Sequence, residues 1–458
     1  MHLNDSSARP RLLVISYHFP PDGSIGGLRW HGLSKYLARM GWEVHVVTAA
    51  SRQGVTDDPG VHVHVCHPHW TLNDVYRGLK KRLSRQTMGS DPSHESRPTR
   101  VDVDARGPLE ALRKNAADLL AFPDYGRGWI VPAARMARRL LSTHSFDGVV
   151  TSGPPHSAHI AGLLATLYRA EPHWLDMRDP WANLSTSMTT LSETIAPVTT
   201  RYLLPRVEKA VIGHAAHVIC NTAASARELR AAYPRANVAH VPNGIDPETL
   251  PRIEDEPLDG LVLAHVGSLY AGRDLGPILS AMRQFLSTHP EARPRIRLLL
   301  AGGMDPPHAA RLGRQVEEAG LSQQVVLLGM LPRDDALKML GRSHLALVLA
   351  QGQPLQVPGK IYECVALQVP TLVLTEADSA SASEARRLGV FAYDGKDLNP
   401  LTSLLERLWN GDLARPSKKT IQMVDYSALA ETISSMFLSH SGASVAGTVA
   451  PITSPDNA

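Results

Sequence analysis

Short apolar runs that end in small residues and hand over to an amphipathic segment recur along most of the chain. This alternation constrains the fold more than any other feature. Arg11-Leu12-Leu13-Val14-Ile15-Ser16 is the first such run, and a Gly- and Pro-rich loop follows from Tyr17 to Gly27. Next comes a segment with Trp30, Leu33, Leu37 and Met40 at helical spacing, a stop at Gly41, and a second run over residues 42–48. Strand, glycine loop, helix and strand make one βαβ unit, whose buried strands read as continuous apolar stretches. The alternation resumes at Phe146–Ser152, Trp174–Asp176 and His217–Cys220. It then restarts at Leu261–Val266, with a helix expected from about Leu275 to Leu286. Further strands are expected at Ile296–Leu300, Val325–Leu328, Leu345–Leu349 and Thr371–Leu374. Two such runs predict an α/β protein with two doubly wound parallel sheets and a ligand cleft between them, outside the carboxyl ends of the strands.

The chain has 458 residues, enough for two substantial cores. The turn-forming cluster Val241–Pro247 places the boundary between an N-terminal domain, 1–245, and a C-terminal one, 246–425. A further helix is expected over 426–440, and the Ser-, Ala- and Pro-rich tail 441–458 has the composition of disorder. Residues 77–115 stand apart as a basic insertion, with Arg77, Lys80, Lys81, Arg82 and Arg85 among its cations. A solvated loop and an attachment to an anionic membrane surface are both open for it. Asp102 and Asp104 in that insertion have the spacing of a metal-binding pair, but no convincing strand precedes them and they read as solvated. No metal site is expected. A net charge of +3 is too small to argue for nucleic acid, and no apolar run approaches a membrane span. Cys66, Cys220 and Cys364 are far apart, which suits a reducing compartment, and the N-terminus lacks a signal-peptide core. A cytoplasmic location is expected, with the inner membrane face available to the insertion.

Several loops at strand ends carry chemistry. Gly26-Gly27 opens a helix after the first strand, with Arg29 two residues on. Backbone amides there can approach a phosphate, or the pair simply makes a tight turn. Ser152–His159 follows another strand and places His156 where it could contact a sugar hydroxyl. Asp176-Met177-Arg178-Asp179-Pro180-Trp181 sets Arg178 and Asp179 at the next strand end, as a local ion pair or as an acceptor-binding couple. In the second half, Gly267-Ser268 with Arg273 suits a diphosphate, the guanidinium pairing bidentately. Ala301–Gly303 and Gly329–Pro332 are small loops expected at the same edge, the latter able to read a nucleobase edge. Pro358-Gly359-Lys360-Ile361-Tyr362-Glu363 puts a cation and a carboxylate on one face of a helix start. Such a pair is commonly a solvated helix face. It also fits a nucleotide sugar, with lysine on the diphosphate and glutamate on the ribose hydroxyls.

In order and spacing these motifs resemble the GT-B glycosyltransferases, specifically family 4, over about residues 10–437 apart from the insertion. The residues that carry the resemblance are Gly26-Gly27-x-Arg29, Arg178-Asp179-Pro180-Trp181, Pro242-Asn243-Gly244-Ile245-Asp246, Gly267-Ser268 with Arg273, and Pro358-Gly359-Lys360-x-x-Glu363. The resemblance implies a GT-B fold, two doubly wound Rossmann-like domains with the acceptor in the first and a nucleotide sugar in the second. It also implies that the last helix crosses back to the first domain. The family is retaining and metal-independent: Arg273 and Lys360 would neutralise the diphosphate leaving group and Glu363 would hold the ribose. His156 would contact the transferred sugar or acceptor, making His156, Arg273 and Lys360 the implied catalytic set. Donor-binding residues would be Gly26, Gly27, Gly267, Ser268, Arg273, Lys360 and Glu363, with Arg29, Arg178 and Asp179 on the acceptor. No cofactor is implied beyond the sugar nucleotide as substrate. The acceptor would be a saccharide or lipid-linked saccharide in polysaccharide or glycolipid synthesis.

Two departures stand out. Many family members carry a first glutamate eight positions before the second, where this chain has Leu355, and Ser268 replaces the family's usual arginine. A nucleotide-sugar epimerase and a non-catalytic nucleotide-sugar-binding protein are the alternatives. A dehydrogenase is disfavoured because no strand leads into GxGxxG.

Overall fold

Seven parallel strands form the first sheet: β1 (Arg11–Ser16), β2 (Glu43–Thr48), β3 (Val61–Val65), β4 (Gly148–Gly153), β5 (His173–Met177), β6 (His217–Cys220) and β7 (Val238–His240). Their spatial order is β3-β2-β1-β4-β5-β6-β7. Helices α1 (Ile25–Arg39), α2 (Ile130–Thr143), α3 (Ser157–Thr166), α4 (Leu204–His214) and α5 (Ala223–Ala232) connect and cover them. The second sheet holds β8 (Leu261–Val266), β9 (Ile296–Ala301), β10 (Val325–Gly329), β11 (Leu345–Leu349), β12 (Thr371–Leu374) and β13 (Phe391–Tyr393), in the order β10-β9-β8-β11-β12-β13. Its helices are α6 (Gly276–Thr288), α7 (Pro306–Glu318), α8 (Arg333–Arg342), α9 (Lys360–Ala366), α10 (Ala380–Leu388) and α11 (Asn399–Trp409). The short α12 (Lys418–Gln422) leads into α13 (Tyr426–His440). This computed structural model describes residues 9–22, 25–49, 58–71, 119, 122–182, 202–253, 256–270, 272–395 and 397–440. The expected basic insertion with Asp102 and Asp104, and the expected tail, lie outside the described residues.

The central strands are buried because their sequences are apolar throughout. Leu12, Leu13, Val14 and Ile15 have no exposed surface, nor do Leu263, Ala264, Leu345 and Ala346. Both sheets reverse their winding at one place, between β1 and β4 in the first and between β8 and β11 in the second. Ligands of doubly wound folds bind in the crevice at such a reversal, and here the two crevices face each other. Three edge strands escaped the sequence reading. β7 and β13 are only three residues long, and β3 alternates valine with histidine. Short or alternating strands at an edge lack the apolar run that marks the centre of a parallel sheet. At the opposite edge of the second sheet, β10 leaves Leu327 60% exposed.

The last helix leaves the second domain and packs on the first. Tyr426, Leu429, Ile433 and Phe437 of α13 join Trp30, Leu33, Leu37 and Trp42 in one buried cluster. Trp42 Nε1 donates to Ser434 Oγ at 2.9 Å. Each fully buried side chain of this size contributes roughly 1.5–3 kcal/mol, so the cluster outweighs any single polar contact between the domains. Close approach depends on Gly32, where a Cβ would stand 2.3 Å from the Tyr426 ring. Gly32→Val should therefore lift α13 from α1 and cost about 2 kcal/mol. A lowered melting temperature and faster proteolysis near residue 426 would be seen; an unchanged melting curve would contradict the packing account.

Candidate functional site

Between the domains lies a cavity of about 320 Å³. Leu28 and His31 of α1 wall one side, the linker residues Asn243–Asp246 close one end, and the strand-end loops of the second sheet form the rest. Gly267, Ser268, Arg273, Lys360 and Glu363 all line it. Five of the seven residues expected to bind the donor thus come together, although they are spread over almost a hundred positions. Gly26 and Gly27 do not line the cavity.

The small loops of the second sheet hold one another. Gly267 N donates to Ala301 O at 2.9 Å, Leu269 N to Gly303 O at 2.8 Å, and Gly302 N to Gly329 O at 2.8 Å. The Arg273 guanidinium donates from Nη1 to Ser268 O at 2.9 Å and stands 4.3 Å from the centre of the Tyr270 ring. The Gly329–Leu331 segment is not part of the cavity lining, and Met330 is exposed.

Lys360 begins α9 immediately after Pro358-Gly359, as the chain-breaking pair predicts. Ile361, Tyr362, Cys364 and Val365 are buried in the domain core, which leaves Lys360 and Glu363 on the face toward the cavity. Lys360 Nζ lies 2.6 Å from Glu363 Oε2. The other carboxylate oxygen is held by Arg333 Nη2 at 2.8 Å. Arg333, at the start of α8, was not recognised in the sequence. No local pattern ties it to a partner thirty residues away. Glu363 is therefore clamped between two cations with both oxygens oriented, and Lys360 can turn to an incoming anion without leaving the carboxylate unpaired.

His265, at the end of β8, was also missed. Its Nδ1 is 2.9 Å from Leu347 O, and Nε2 is buried without a hydrogen-bond partner at the cavity wall. Burial, with Arg273 and Lys360 nearby, pulls its pKa down to about 4, so the ring is neutral at pH 7.

The first-domain residues divide into struts and contacts. Arg29 was expected to bind the acceptor, and the structure corrects this: only 1% of it is exposed. It donates to Asp176 Oδ1 at 3.1 Å, Pro242 O at 2.7 Å and Val241 O at 3.1 Å, so its guanidinium is committed to protein acceptors. Gly27 is required for a different reason than a phosphate. A Cβ there would lie 2.8 Å from the Phe19 Cα, so the residue lets the helix start against the preceding loop. Gly26 lies beside the Arg178 guanidinium, which donates to Ser152 Oγ at 3.1 Å and Pro154 O at 2.7 Å. His156 does not line the cavity either. Its ring stacks on Trp181, with centroids 4.8 Å apart and planes at 13°. Burial, and secondarily the charge of Arg178, lowers its pKa to about 3, so it too is neutral at pH 7.

Asp179 accepts from Gln356 Nε2 of the second domain at 2.9 Å. The neighbouring Leu355 explains the departure noted in the sequence. Its side chain is buried in a cluster of first-domain residues that includes Leu175, Met177, Trp181 and Val218. Its carbonyl accepts from Thr222 Oγ1 at 2.9 Å and Ser225 Oγ at 3.2 Å. The position that carries a carboxylate in many family members is here an apolar plug joining the two domains.

Comparison with known proteins agrees with this fold. Residues 97–249 match the sequence profile of Glycosyltransferase Family 4. Sucrose-phosphate synthase from Thermosynechococcus elongatus is similar in structure, with a TM-score of 0.60 and 15% identity over 95% of this chain and 100% of that one. Anabaena HepE, solved in complex with UDP and glucose, gives a TM-score of 0.56 at 14% identity over 94% and 100% of the two chains. A UDP-forming α,α-trehalose-phosphate synthase from Burkholderia vietnamiensis gives 0.56 at 13% identity over 94% and 100%. Sequence comparison with curated proteins returned no match. The fold is GT-B. Residues 97–249 carry the likeness to Glycosyltransferase Family 4.

Introducing the carboxylate at position 355 should damage the protein. Leu355→Glu buries an acid among apolar side chains, at a cost of roughly 3–5 kcal/mol. The variant is expected to melt lower and show no gain in turnover; a variant of unchanged stability would mean that residue 355 is not a plug.

Proposed function

We propose that the protein transfers a hexose-type sugar from a nucleoside diphosphate to a saccharide or lipid-linked acceptor, with retention of anomeric configuration. The observation that carries this reading is the convergence of Gly267-Ser268, Arg273, Lys360 and Glu363 on one interdomain cavity. Arg273 and Lys360 take the diphosphate, and Glu363, braced by Arg333, accepts hydrogen bonds from the ribose hydroxyls. As the sugar–phosphate bond breaks, charge grows on the leaving diphosphate, where two fixed cations lower the barrier most effectively. The departing phosphate oxygen takes the acceptor's proton on the same face of the sugar, so no protein nucleophile is needed. His156, neutral at pH 7 and stacked on Trp181, positions the sugar or acceptor at the first-domain edge, together with Arg178 and Asp179.

UDP is the first nucleotide to test, since HepE was solved with UDP and with UDP-glucose. An epimerase reading is less well supported. The carboxylates lining the cavity, Asp246 and Glu363, are each held by lysine or arginine, so neither is poised for proton transfer. Thermal-shift measurement with nucleoside diphosphates and their sugars should show stabilisation of the wild type by at least one of them. Lys360→Ala and Glu363→Ala should each weaken that binding about 10–100-fold while melting near the wild-type temperature without ligand. NMR of the product should show the donor's anomeric configuration; inversion, or unchanged donor binding in both variants, would rule the reading out.

The basic run within residues 77–115 supports contact of the enzyme with an anionic membrane, where a lipid-linked acceptor would reside. Co-sedimentation with phosphatidylserine vesicles should fall when residues 77–115 are deleted. Equal sedimentation of both forms would remove this part of the proposal.

A further inference from the structure

A group of ligating side chains lies far from the cavity, on one face of the first sheet near the amino ends of its strands. β2 contributes Glu43 and His45, and β3 contributes His62 and His64. The two strands pair in parallel with His45 opposite His62, so side chains two residues apart project from the same face. His45 Nε2 lies 3.1 Å from Glu43 Oε1, and His62 Nε2 lies 3.8 Å from that same oxygen. One ligand atom from each of the three residues falls within 4.8 Å of the others. A tetrahedral zinc ion with bonds of about 2.0–2.2 Å separates its ligands by about 3.3 Å, and the two contact distances bracket this value.

From this geometry we propose that Glu43, His45 and His62 form a divalent transition-metal site, of the kind that takes Zn²⁺, which fastens the edge strand β3 to the sheet. The surrounding contacts are those that ligands of such a site need. Arg11 Nε donates to Glu43 Oε2 at 2.6 Å, leaving Oε1 toward the histidines. His45 Nε2 meets Glu43 Oε1 at 3.1 Å and its Nδ1 is 3.0 Å from His64 Nε2; an ion at the site would displace the Nε2 proton, and Nδ1–H would then donate to His64. His45 is only 6% exposed in its side chain while His62 is 50% exposed, so the metal would have a protein-facing side and an open fourth position for water. His144 packs against the His45 ring at 5.1 Å, but its Nδ1 meets Thr143 Oγ1 at 2.8 Å and it closes the cluster without joining it. Glu43 pairs with Arg11 at the first residue of each strand, the opposite sheet edge from the sugar-nucleotide cavity. The role is therefore structural, independent of the proposed transferase chemistry.

The test uses the full chain without an affinity tag, titrated with Zn²⁺ against a chromogenic chelator. One tight equivalent is expected in the wild type, with a rise in melting temperature. His62→Ala, at a half-exposed position, should retain the fold by circular dichroism yet bind about tenfold more weakly or worse. Glu43→Gln should do the same, whereas His67→Ala/His69→Ala should bind as the wild type does. Co²⁺ should give visible bands of a four-coordinate ion in the wild type that fade in His62→Ala. No tight equivalent in the wild type, or equal Zn²⁺ affinity in wild type and His62→Ala, would overturn the proposal.

Discussion

Asp176 sits at the end of β5 with no exposed surface, and the placement of the first domain's ligand-facing edge follows from what it accepts. Arg29 and Trp30 of α1 donate to it at 3.1 and 2.8 Å, and Ser152 at the end of β4 donates at 2.9 Å. Arg29 carries the tie onward to the carbonyls of Val241 and Pro242, where the chain leaves for the second domain. One buried carboxylate thus sets the start of α1, the ends of two strands and the beginning of the linker. A buried ion pair adds little net stability compared with an apolar replacement, but losing one partner leaves the other charged and stranded. Its contribution is geometric: the helix that walls the cavity and the linker that closes it are indexed to the same point.

Much of the architecture was legible because parallel strands buried on both faces leave a simple trace. β1, β6, β8, β11 and β12 have the bounds that the apolar runs gave. What escaped was at the margins, where β3, β7 and β13 are too short or too polar to stand out. Site residues were legible in proportion to how local their chemistry is. Lys360 and Glu363 announce themselves by sharing one helix turn after a Pro-Gly break. Arg333 does not, since its carboxylate partner is distant in sequence and only the packing of α8 against the sheet brings them together. Arg29 was misread for the converse reason. A cation two residues beyond a glycine pair looks the same in sequence whether it faces a ligand or a buried aspartate.

The clamp on Glu363 and the plug at Leu355 bear on one another. Glu363 is the carboxylate that the second domain's strand-end loops and α9 bring to the cavity. Position 355 is spent on joining the domains, through Leu355 itself and through Gln356 to Asp179. The second-domain side of the cavity is left with Arg273 and Lys360, and with Glu363 already shared between two cations. Under the proposed reaction, such a balance would suit a dianionic leaving group and would leave few polar handles for the sugar.

The chain passes between the domains twice, once at the linker and once before α13, and the two passages run side by side. Ile245 N donates to Val424 O at 2.7 Å, and Tyr426 N donates to Ile245 O at 3.0 Å. Two separate tethers at distant points would lock the domains, whereas two adjacent ones define an axle. Any opening of the cleft would thereby reduce to rotation about one line through residues 245 and 425, against the hold of the Leu355 contact.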